Sequence, residues 1–185
     1  MKFFSVRRHA LFPVSLFAAG LFLVLFFFFV WKYQNGLYTD PALSLRINEI
    51  CTINPGTQEG KSTIYEDYIE LYNPTEQAVS LEGLYLSDDP GNPLLASLPE
   101  GEIQQGGYCV IYALGEGDSV PEDCLSVPFG LAEEETLLLT WVSETDNGTV
   151  TTHTVDSVYI PSSITSGAVY AAASDGGGSF TEARP

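Results

Sequence analysis

The chain has 185 residues, 45% of them hydrophobic, and 24 acids against seven bases give a net charge of −17, so it is long enough and apolar enough to bury one core of ordinary size. All 24 acids lie after position 32, where only Arg46, Lys61 and Arg184 oppose them, a balance of −21. That argues against nucleic acid as a partner, because phosphates demand a basic surface, and against this part resting on anionic lipid.

Residues 1–9 form a short basic segment with Lys2, Arg7 and Arg8. Residues 10–31, "ALFPVSLFAAGLFLVLFFFFVW", then run for 22 positions without a charge. As a helix this run is about 33 Å long, enough to cross a hydrocarbon core of about 30 Å. A cleaved signal peptide is the rival reading. The apolar run exceeds the usual core of such a peptide, and no small-x-small site lies between Val30 and Asn35, so an uncleaved signal anchor is expected. The basic flank predicts a cytoplasmic N-terminus, a single pass through the cell membrane and an extracellular remainder, with Trp31 and Tyr33 in the outer interface. Residues 32–43 read as a linker.

From residue 44 to 185 the pattern changes to short apolar runs of period two, broken by Gly, Pro, Asn and Asp. "LSLRINEI" (43–50) sets Leu43, Leu45 and Ile47 on one side. "YEDYIELYNP" (65–74) sets Ile69 and Leu71 inward and Glu70 toward water, and Asn73-Pro74 ends the pairing. "VSLEGLYLSD" (79–88) alternates around Gly83, read as a bulge. "GYCVIYA" (107–113) has so little polar content that both its faces are expected to be covered. "ETLLLTWV" (135–142) and "TVTTHTVDSVYI" (149–160) flank Asn147-Gly148, which supplies positive φ angles for a tight hairpin. "GAVYAAA" (167–173) closes the series. Eight or nine strands with no crossover helices predict an all-β antiparallel sandwich or barrel, with Ile69, Leu71, Leu84, Leu86, Val110, Leu137 and Leu139 in its core.

Three cysteines leave two readings open. Cys109 and Cys124 flank the loop "GEGDSVPED" and are candidates for a disulfide; alternatively all three are buried thiols. No cysteine–histidine spacing suits zinc.

"INEI", "YEDYIELYNP", "VSLEGLYLSDDPGNP" and "GGYCVIYA" occur in an order that resembles the bacterial form of the lamin tail domain. "VPFGLAEEETLLL", "VDSVYIP" and "SDGGGSFTEARP" extend the resemblance, which covers roughly residues 44–185. It implies an immunoglobulin-like β-sandwich, in agreement with the strand reading. It further implies a non-catalytic module on an exported bacterial protein, of the kind that accompanies a spore-coat-type kinase or a nuclease. Two departures stand out. Family members continue past the final "RP" with a Pro-Gly turn, so the chain is read as the start of a longer protein or a truncated product. Cys51 and Cys109 occupy positions where the family carries larger apolar residues, which favours partly buried thiols.

Catalysis needs a nucleophile, base or metal in a cleft. His9 and His153 are the two histidines; the first lies in the basic segment and the second at an exposed strand position. There is no G-x-S-x-G turn and no phosphate-binding loop, and no carboxylate pair stands out among 24 acids. Catalytic residues are therefore expected to be none, and a bound cofactor likewise. Asp88, Asp89 and Asn92 in "SDDPGNP" are hard oxygen donors and the candidate calcium ligands. The competing reading, which is preferred, is a turn in which Asp and Asn bond their own backbone. "EEE" (133–135) reads as a solubilising gatekeeper before an apolar strand, and Asn147-Gly148-Thr149 as a turn rather than a glycosylation site.

The expected function is a membrane-anchored, outward-facing binding or scaffolding module of the bacterial cell envelope, held in the membrane through residues 10–31 and engaging another envelope or extracellular protein. The alternatives are an accessory domain of a larger exported enzyme whose catalytic part is not in this chain, and a calcium-dependent carbohydrate-binding module.

Overall fold

The computed structural model describes residues 14–34, 40–54, 56–59, 62–145, 147–162, 164–165 and 167–184. The basic segment 1–9, the first residues of the apolar run, Lys61 and Pro185 lie outside the described residues, as does the linker between 35 and 39. The chain divides into two compact units, residues 1–39 and 40–185.

In the first unit α1 (Val14–Gln34) is a helix of 21 residues, rich in Leu, Phe and Ala and without an acid in its first turn. Over residues 20–31 it is apolar all round rather than along one stripe. Each large apolar residue from Leu21 to Phe29 is more than half exposed. Among the described residues, no helix is long and apolar enough to cross a membrane.

The second unit begins at Asp40, within the stretch read as linker. Asp40 Oδ1 accepts from the Ala42 N–H at 2.9 Å and caps a 3-10 turn, Pro41–Ser44, which buries Ala42. The Asp-Pro pair sets this turn, because Pro pre-forms its first residue and the carboxylate satisfies an orphan donor. Regular pairing therefore starts at β1 (Arg46–Cys51), three residues later than the alternation suggests.

The described strands that follow are β2 (Thr57–Glu59), β3 (Ser62–Ile64), β4 (Asp67–Tyr72), β5 (Val79–Ser80), β6 (Leu84–Ser87), β7 (Ala96–Ser97) and β8 (Glu102–Ile103). Then come β9 (Tyr108–Ala113), β10 (Ser126–Val127), β11 (Thr136–Glu144), β12 (Val150–Tyr159), β13 (Val169–Ser174) and β14 (Gly177–Ala183). One sheet has the order β10-β9-β4-β1-β13-β14 and the other β12-β11-β6-β7, with β2-β3 and β5-β8 as separate ribbons. All pairings are antiparallel except β9 with β10, which is parallel.

Between the two sheets lies the main core. Ile47, Ile50, Ile69, Leu71 and Ile111 of the larger sheet meet Leu84, Leu86, Leu137, Leu139 and Val158 of the smaller one. Each such burial contributes roughly 1.5–3 kcal/mol. Six of the seven expected core residues lie here. Val110 does not: it packs on the opposite face of the larger sheet, in a second cluster with Cys51, Ile64, Tyr68, Tyr112 and Val169. Strand alternation places Cys109 and Ile111 in the main core, so their neighbour Val110 must point the other way. β9 is thus covered on both faces, as its composition suggests.

Two turns differ from expectation. Gly83 (φ +76°) is the third residue of a turn closed by Leu84 N–H on the Leu81 carbonyl at 3.1 Å, not a bulge within one strand. The strands it joins, β5 and β6, belong to different sheets. A Cβ there would stand 2.9 Å from the Val142 carbonyl oxygen, so only glycine fits. Among the described residues of the β11–β12 hairpin, Gly148 alone has positive φ, +78°. Gly148 N–H bonds the Thr145 carbonyl at 2.8 Å and Thr145 N–H the Thr149 carbonyl at 2.9 Å, a longer loop than a two-residue turn.

Candidate binding surface

The outward face of the larger sheet carries the acid-and-tyrosine segment. The β1–β4 register shifts between Ile47 and Glu49, so Asn48 and Glu49 both reach outward-facing residues of β4. Asn48 Nδ2 donates to Glu70 Oε1 at 2.9 Å, and the Tyr68 hydroxyl donates to Glu49 Oε1 at 2.5 Å. Asn48 Oδ1 accepts from the Gly176 N–H at 3.1 Å, tying the β13–β14 turn to the same network. Glu70 is therefore half-buried and hydrogen-bonded rather than solvated; desolvation pushes its carboxyl above the usual range, against the Asn48 hydrogen bond. Burial, and then the bond to Glu49, likewise push the Tyr68 phenol up. Tyr108 bonds Asp175 and is pushed up to about 12, and its ring lies 5.0 Å from that of Tyr72. The acids of this strand are tied to neighbours by hydrogen bonds. Chemically this is a structural network, with every named carboxylate already engaged.

The candidate calcium ligands sit on a surface turn. Asp89 Oδ1 accepts from the Gly91 N–H at 2.8 Å, and Asn92 N–H bonds the Asp89 carbonyl at 2.9 Å. The fully buried Ser87 anchors the loop, donating from Oγ to the Asn92 carbonyl at 2.8 Å and accepting from the Asp89 N–H at 3.0 Å. Asp88 lies beside this turn, half-buried. Backbone bonding by Asp89 is the geometry of an Asx turn. Among the described residues, no three of His, Cys, Asp and Glu come together as a metal-holding set.

No disulfide joins Cys109 and Cys124; both are thiols, as is Cys51. Cys109 packs against the main core and Cys124 against the second cluster, on opposite faces of one sheet. Burial pushes the Cys51 and Cys109 thiols up to about 11. A thiol in that range is a poor nucleophile.

Glu135, read as part of a solubilising run, folds back instead. Its Oε1 accepts from the Ala132 N–H at 2.7 Å, and Glu134 adopts φ +64° while its N–H bonds the Ile160 carbonyl. Partial burial raises the Glu135 carboxyl. Nearby Asp67 is pushed up to about 7, chiefly by desolvation and further by the charges of Asp118 and Glu135, against a stabilising hydrogen bond from the Leu131 backbone. His153 is half-buried rather than exposed: its ring lies 5.4 Å from that of Trp141, tilted by 30°, and Nε2 stands 3.3 Å from Ser143 Oγ. His9 lies outside the described residues.

What the sequence reading missed is an open groove of about 500 Å³ at one end of the sandwich. It is bounded by the Asp40–Ala42 turn, the β5–β6 turn and the end of β11. Asp40, Glu82 and Glu144 contribute carboxylates and Trp141 an aromatic wall, and its described lining contains no Lys or Arg. Such a groove suits a cationic or donor-rich group. Its parts lie about forty to sixty residues apart in the chain, so no local motif could announce it.

A family model described as Lamin Tail Domain matches residues 39–174, from just ahead of the Asp40 cap to the end of β13. No curated protein and no solved structure matches the chain.

Proposed function

The chain belongs to the lamin tail domain family, whose members are non-catalytic immunoglobulin-like domains, and on that premise we propose that it is a membrane-anchored binding module presenting its sandwich outside the cell. The anchor is the segment 10–31, with the basic residues ahead of it inside. The partner is another protein of the cell envelope, met through the acidic groove and its surroundings.

The observation that carries this reading is the contrast between the two units. One is a helix apolar on every side over residues 20–31, with Leu21–Phe29 each more than half exposed. Such a helix needs an apolar medium, because no polar face is available to water. The other is a sandwich carrying all 24 acids, a charge that favours water and is repelled by an anionic surface.

A reporter active only outside the cytoplasm, fused after Pro185, tests the arrangement. Activity in cells expressing the full chain, and its loss when Leu23 and Phe27 are replaced by Asp, is the expected result. A reporter active only in the cytoplasm overturns it.

A further inference from the structure

The smaller sheet ends in a strand whose outer edge is half blocked and half open. Thr145 N–H bonds the Thr149 carbonyl, which fixes the alternation of the hairpin above it. Glu144–Val150 is then a non-hydrogen-bonded pair, Ser143–Thr151 a bonded one, and so on along the register. Val142 confirms the phase, since its N–H turns away from β12 to the Gly83 carbonyl at 2.8 Å. It follows that the backbone N–H and C=O groups of Val150, Thr152 and Thr154 all point away from β11. No strand lies beyond β12 among the described residues.

Further along, Asp156 closes the edge. Its Oδ1 accepts from the Ser157 N–H at 2.8 Å and its Oδ2 from the Ile47 N–H at 3.0 Å. The open part is therefore "VTTHT", residues 150–154. It is made of strand-favouring residues and carries no Pro, no Lys and no Arg, and the bulge at Val155 lies just past its end. The other long edge, β14, contains two glycines and Glu182. Glu144, which lines the acidic groove, stands opposite Val150 at the head of the open segment.

We propose that the edge of β12 from Val150 to Thr154 receives an extended, basic peptide segment of a partner protein as an added strand, with the groove carboxylates Asp40, Glu82 and Glu144 favouring its cations. Backbone hydrogen bonds supply the attachment and charge supplies the selectivity. A second copy of this chain is the less suitable occupant, because pairing would bring together two domains each carrying −21. The proposal rests on the reading of the domain as a binding module but not on its membrane topology, so the two fail separately.

The test uses the full chain in detergent micelles and three synthetic octapeptides. One alternates Lys with Val and Thr, the second has Glu in place of Lys, and the third is the Lys peptide N-methylated at alternate residues. Saturable binding of the Lys peptide is expected, with slowed hydrogen exchange at Val150, Thr152 and Thr154. The Glu and N-methylated peptides should bind at least tenfold more weakly. Thr152→Pro removes an outward donor without touching the β11 ladder and should weaken binding at least tenfold. Should that variant unfold, Thr152→Lys with Thr154→Lys serves instead, repelling the basic strand. No binding of the Lys peptide, equal binding of the Glu peptide, protection confined to β14, or dimerisation of the chain through this edge overturns the proposal.

Discussion

The backbone N–H of Ile47 donates to Oδ2 of Asp156 at 3.0 Å, a bond across 109 positions of sequence that ties the first strand of the larger sheet to the edge strand of the smaller. The same carboxylate satisfies Ser157 N–H through its other oxygen. Asp156→Ala should lose about 2 kcal/mol, the range for hydrogen bonds to a charged acceptor. Asp156→Asn, which keeps an acceptor for one of the two, should lose less. Urea unfolding of the three proteins measures this, and equal stability of Ala and Asn variants would show that the bonds contribute little.

Asn73 is fully buried, and its side chain fills every hydrogen-bonding position it has. Nδ2 donates to the carbonyls of Gln77 at 2.8 Å, Ile103 at 2.9 Å and Gln104 at 3.1 Å, while Oδ1 accepts from Thr75 N–H and Oγ1. Asn73→Ala should cost about 3 kcal/mol, because carbonyls deprived of a donor stay buried. Asn73→Asp should be no better, since a carboxylate would face the same carbonyls. A thermal melt in which the Asp variant matches the wild type contradicts this account.

Leu71 and Val110 separate the two hydrophobic layers. Leu71→Ala removes a fully buried side chain from between the sheets and should cost ~2–5 kcal/mol. Val110→Ala touches the outer cluster, where the side chain is only half-buried, and should cost about 1 kcal/mol. A larger loss at Val110 than at Leu71 would mean that the outer layer, not the inter-sheet core, dominates stability.

Asp67 makes stability depend on pH. Its carboxyl rises from 3.8 to about 7 on folding, mainly by desolvation, so between those values the folded chain holds a proton that the unfolded chain has lost. Its contribution is thus fully present below 3.8, falls as pH rises to about 7 and is level above that. Glu70 and Glu135, raised by the same cause, act in the same direction. Asp67→Asn should flatten the decline over this window. Parallel profiles of wild type and variant between pH 4 and pH 7 would remove Asp67 from the account.

The strands themselves were legible because side-chain direction alternates with a period of two, whatever the neighbours are. Ile69 and Leu71 declare an inward face in ten residues, and that part of the reading holds. The chain's division into an uncharged run and an acidic sandwich is also written in the sequence, since charge needs no folding to be counted. What alternation leaves open is which layer lies on each side. Val110 and Cys109 both look apolar, yet one faces the second cluster and the other the main core, a choice fixed by β4 and the cover over its outer face. For the same reason Glu70 reads as solvated until the register shift of β1 brings Asn48 against it. β14 escaped notice because it opens on two glycines, Gly177 and Gly178, and only pairing with β13 makes them part of a strand. The groove and the open half of β12 belong wholly to the tertiary structure. Both depend on residues far apart in sequence, Asp40 with Glu144 and Ile47 with Asp156, and such contacts exist only once the two sheets have closed on each other.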